Sequence, residues 1–157
     1  LPGCHAPPKT SSQESPMNLS FSHAMITHDA ARKIMDSAVN HARANGWTVS
    51  VAVVDATGAL VAAGRMDGSS PPILDFATDK AFTAATMKKS TAEFGERMLV
   101  DPALGLGVGN RSRLLTWQGG LPIMIDGQIV GGVGVSGATG LEDAECAQAA
   151  LDQLHVL

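Results

Sequence analysis

The chain has 157 residues, 45% of them apolar and 17% charged, and a formal net charge of -4. That is one domain of ordinary size with material for a core, and its acidic balance argues against nucleic acid, which asks for a concentrated basic face. Aromatics at 4% with no tyrosine leave no stacking platform for single strands, and no apolar run reaches the ~18 residues needed to span a membrane.

Residues 1–16, LPGCHAPPKTSSQESP, are rich in proline and serine, lack periodicity and stop at Met17. They read as a disordered leader or a cloning remnant ahead of a domain over 17–157. Two cysteines, Cys4 and Cys146, make no disulfide framework. A cytoplasmic location is the expectation, with secretion left open.

From Thr27 the apolar residues Ala31, Ile34, Met35, Ala38, Val39 and Ala42 recur at helical spacing, with Thr27 as the cap and Gly46 at the exit. WTVSVAVVD and ALVAAGRM then flank the turn signal DATG, so a hairpin follows, apolar on both faces and covered on two sides. Ser70 and Pro71 open a helix that runs to about Lys89 and is apolar nearly all round, the mark of a sandwiched helix. Ser90 and Glu93 form a capping box for a short helix ending near Val100.

The stretch DPALGLGVGNRSR reads as a loop. Three strands follow, LLTWQGG, LPIMID and QIVGGVGVSG, the last two joined at Asp126-Gly127, and EDAECAQAALDQL is the final helix. The order is not the strict alternation of a parallel fold. It predicts an α+β protein with an antiparallel sheet of five strands and helices on both faces.

GVGVSG, residues 132–137, satisfies the glycine fingerprint of dinucleotide-binding loops. Glu142 and Asp143 stand in the first turn of the helix that follows, where a pyrophosphate requires bare amide donors. The glycines instead let a helix, another subunit or a ligand approach the backbone.

Among polar residues, Arg65, Asp67 and Lys80 lie in the most apolar surroundings. They form either structural ion pairs, Asp67 with Arg65 or Lys80 with Asp75 or Asp79, or an anion site at one rim of the sheet. Trp117, Gly119, Gly120 and Pro122 in WQGGLP suit a tight turn as well as a substrate loop. His28 and His41 flank the stripe of the first helix, where a histidine serves as a surface residue or as an axial haem ligand. No zinc spacing occurs, so no metal site is expected beyond haem iron.

Taken together, VAVVDATGALVAAGRMDGSS, ATDKAFTAATM, GGLPIMIDGQIVGGVGVSG and the acidic start of the last helix resemble the GlcG/HbpS-like, or haem-degrading-domain, family. That family includes the C-terminal domain of PduO-type cobalamin adenosyltransferases. The resemblance covers residues 18 to 157. It implies a profilin-like fold, homo-oligomers of two or more chains and, for some members, haem binding or haem degradation. It also implies that Arg65, Asp67, Lys80, Gly119, Gly120, Pro122 and Gly137 line a shared pocket or shape the fold. Three functions compete: a haem-binding or haem-degrading protein, a cofactor-free isomerase or lyase using Arg65, Asp67 and Lys80 on an anionic small molecule, and a non-catalytic binding module.

Overall fold

A computed structural model describes residues 17–156, so the expected leader over 1–16 lies outside the described residues. The elements are α1 (His28–Ala44), β1 (Ser50–Asp55), β2 (Leu60–Arg65), α2 (Pro71–Met87), α3 (Thr91–Val100), α4 (Pro102–Val108), β3 (Gly120–Ile125), β4 (Gln128–Ser136) and α5 (Gly140–Asp152), closed by a 3-10 turn, Gln153–Val156. All strand pairs are antiparallel in the order β2-β1-β4-β3.

The sheet has four strands among the described residues, not the five expected. LLTWQGG fails as a strand because α2 captures its backbone. The Thr83 hydroxyl donates to the Arg113 carbonyl at 3.0 Å and accepts from Leu115 N–H at 2.9 Å. Arg113, just before the stretch, takes φ +70° and turns the chain there. The second departure is α4, inside the stretch expected to be loop. Asp101 caps it by accepting from Ala103 N–H at 2.8 Å, and Pro102 occupies its first turn.

Alternation along the strands divides the core. Val51, Val53, Val133 and Val135 face α1 and α5, whose buried stripes include Ile34, Ala38, Cys146 and Ala147. Ala52 and Val54 face the small residues Ala77, Ala81 and Ala85 of α2. On that side β4 presents glycine. A Cβ on Gly134 would stand 2.0 Å from the Ala77 carbonyl oxygen, and one on Gly132 would stand 2.4 Å from that of Ala81. Of the three candidates for the glycine-rich strand, the helix is what approaches it.

Candidate functional site

Lys80 projects from α2 toward β4 and α5 with only 2% of its side chain exposed. Its Nζ donates to Asp143 Oδ2 at 2.9 Å and to the Val135 carbonyl at 2.8 Å. Asp143, buried in the first turn of α5, accepts from Ala138 N–H through its other oxygen at 3.0 Å. Burial pushes the Lys80 ammonium below the ordinary lysine range, and the Asp143 carboxylate opposes that shift. Glycines close the space around the pair. Gly119 has φ +117°, and a Cβ there would lie 3.0 Å from Nζ and 2.8 Å from the Asp143 Cβ. A Cβ on Gly120 would lie 2.5 Å from the Lys80 carbonyl oxygen.

The partner of Lys80 is therefore Asp143, not Asp75 or Asp79. Asp79 instead faces Arg113 at 3.5 Å, and that guanidinium lies 3.9 Å over the Phe82 ring. Arg65 stands on β2, two strand spacings or roughly 10 Å from β4. Its guanidinium donates to the Ser69 carbonyl, and the Ser69 hydroxyl meets that of Ser50 at 2.9 Å. Asp67 is exposed and has no ion partner among the described residues. Arg65 and Asp67 line one concavity with Arg43, whereas Lys80 is buried against Asp143, so the three do not converge as one anion site.

Trp117 is half exposed and meets Phe76 edge-on at 5.3 Å. Gly137, at φ +130°, turns the chain past the Thr48 carbonyl, leaving 2.6 Å for a Cβ. Pro122 sits within the edge strand β3. The two histidines proposed as haem ligands are 13 residues apart on α1, roughly 20 Å along its axis. His28 is exposed beside Asp29, whereas the Nε2 of His41 meets Glu145 Oε1 at 2.9 Å and links α1 to α5. No cluster of His, Cys, Asp and Glu among the described residues could hold a metal ion. No helix among them is long and apolar enough to cross a membrane.

A different concavity lies where α3 and α4 meet the end of α2. It has a volume of about 400 Å³, and Met87, Phe94, Met98, Leu104, Val108 and Leu114 form its apolar wall. Arg111, beside Asn110, is its only charged lining residue. Leu99 and Leu106, close by in the chain, are 86% and 79% exposed. An apolar wall with one guanidinium suits a ligand with an apolar body and an anionic margin. Sequence reasoning missed this groove because it treated 101–113 as loop; the Asp101-Pro102 start signal was the available cue.

The family model described as haem degrading protein, HbpS-like, matches residues 26–152. The chain belongs to the HbpS-like family. Among HbpS-like relatives, GlcG of Escherichia coli K12 is 37% identical over 112 residues, which cover 71% of this chain and 81% of GlcG. Klebsiella pneumoniae protein ORFY superimposes with a TM-score of 0.85 at 33% identity, over 91% of this chain and 99% of that one. The PduOC protein, solved as a haem complex, superimposes with a TM-score of 0.74 at 30% identity, over 82% and 94%. The HbpS-like fold thus extends across nearly all of the described residues.

Proposed function

We propose that this protein binds a flat ligand with an apolar body and an anionic margin in the groove between α3 and α4, and that haem is that ligand. The observation that carries the proposal is the groove itself, an apolar wall whose single charge is Arg111. A related fold solved as a haem complex supports the choice of ligand. A porphyrin face matches Phe94, Leu104, Val108 and Leu114, and a propionate matches the Arg111 guanidinium. Met87 and Met98 supply thioethers within the wall, whereas His28 and His41 belong to α1 on the other side of the sheet. Bound haem would bring iron redox chemistry. The chain's own part is to bury the macrocycle, orient its carboxylates and exclude water. Lys80 has no role in this reading, because its ammonium is sealed from solvent and already holds Asp143.

Titration with haemin, followed by absorbance, should give saturable binding. Arg111→Glu and Leu104→Asp should each weaken it about tenfold, the equivalent of ~1.4 kcal/mol. Loss of binding in His28→Ala or His41→Ala, with both groove variants binding as the parent does, would move the site to α1. Adding a reductant in air tests haem degradation, read as decay of the haem absorbance band.

A further inference from the structure

Two surfaces unrelated to the groove complement each other. The first is the extended segment before α1. Met17, Leu19 and Phe21 alternate along it and are 83%, 87% and 86% exposed, with Asn18, Ser20 and Ser22 between them. The segment is anchored only toward its C-terminal end, where His23 Nε2 meets the Ile129 carbonyl at 3.1 Å and Ile26 N–H donates to the Val130 carbonyl at 2.9 Å. Period-two apolar spacing is the pattern of a strand with one covered face. Among the described residues nothing covers that face.

The second surface is a sheet edge. Both β2 and β3 are edge strands, and they are defended differently. In β3, Pro122 offers no N–H, and Gly120 N–H already donates to Thr91 Oγ1 at 3.0 Å. β2 reads LVAAGR, with no proline and no charge before Arg65, and its Leu60 is 56% exposed. Met66 N–H donates to the Val49 carbonyl, so the bonded pairs alternate from there through Gly64–Val51 and Ala62–Val53. Ala63 and Arg65 fall between them and direct their N–H and C=O groups away from β1, toward the open edge.

We infer that residues 17–22 of one chain add as a strand to the β2 edge of a second copy. Six residues on the arm match six on β2, a length of roughly 20 Å. The arm carries no charge over those residues, so none opposes the pairing. Main-chain bonds to Ala63 and Arg65 would supply the register, and the alternating Met17, Leu19 and Phe21 would supply the burial. Exchange in both directions makes a closed pair of chains.

The test is light scattering on the full chain beside Leu19→Asp/Phe21→Asp and Ala63→Pro. The parent should weigh at least twice 16.2 kDa at micromolar concentration. Both variants should weigh one chain and keep the parent's far-ultraviolet dichroism. Amide exchange at Ala63 and Arg65 should be slow in the parent and about an order of magnitude faster in the arm variant. A monomeric parent overturns the inference, as does an arm variant that stays assembled. Dissociation by the arm variant with Ala63 and Arg65 unprotected in the parent overturns the β2 assignment, and so does protection that survives in a monomer. If Ala63→Pro loses its dichroism, the exchange measurement on the arm variant decides.

Discussion

Lys80→Met isolates the buried pair, because methionine keeps the volume and removes the charge. The variant strands Asp143, a carboxylate with 3% of its side chain exposed and one remaining donor, Ala138 N–H. Removing one partner of a buried pair leaves the other charge uncompensated, which costs about 3–5 kcal/mol. With a urea slope near 2 kcal/mol/M, the midpoint should drop by about 2 M. Lys80→Met/Asp143→Leu should recover part of the loss, short by about 1 kcal/mol each for the Ala138 N–H and the Val135 carbonyl left unpaired. Urea melts of the three proteins at pH 7 decide the matter. A Lys80→Met protein with the parent's midpoint would refute the reasoning and return Lys80 to the list of groups available to a ligand.

Gly134→Ala should lose about 3 kcal/mol, because its Cβ would meet the Ala77 carbonyl oxygen at 2.0 Å and Ala81 N at 2.6 Å, both backbone atoms that cannot step aside; thermal melts beside Gly107→Ala, where nothing lies within 4 Å, provide the check. Glu93 and Glu142 close capping boxes at Ser90 and Thr139, whose hydroxyl and amide donors hold both carboxyls below the ordinary 4.5. Their folded values are depressed, so the stability they contribute is present above that value and lost as pH falls through the folded ones. Glu93→Gln/Glu142→Gln should accordingly flatten the fall of the urea midpoint between about pH 5 and pH 3, and a variant as acid-sensitive as the parent would contradict the capping account.

Local patterns were readable wherever a residue's partner lay within a few positions. The stripe from Ala31 to Ala42, the Ser90–Glu93 box and the Asp126-Gly127 turn each stand in the structure as expected. The near-uniform apolarity of α2 suggested a helix held between layers, yet α2 packs on the sheet with one face and leaves Ile73, Leu74, Phe76 and Phe82 only half-buried. LLTWQGG has the residue types of a strand, yet the distant hydroxyl of Thr83 takes the Leu115 N–H and the carbonyl of Arg113 just before it. Asp101-Pro102 signalled a helix start, but Gly105, Gly107 and Gly109 behind it suggested loop. The packing of α4 on α3 then created the groove.

Asp143 shows the same division at the candidate site. Its position in an acidic first helical turn is legible; its attachment to Lys80, 63 residues away, is not. By itself the sequence determined which segments are amphipathic, where helices begin, and that glycines on the last strand admit something close. Only the tertiary structure decided that a helix fills that space, that Lys80 turns inward to Asp143, and that Arg65 answers to Ser69. Periodicity and capping act over one or two turns of chain. Pairing a buried charge or walling a groove depends on which distant elements the sheet brings together, and no local spacing carries that information.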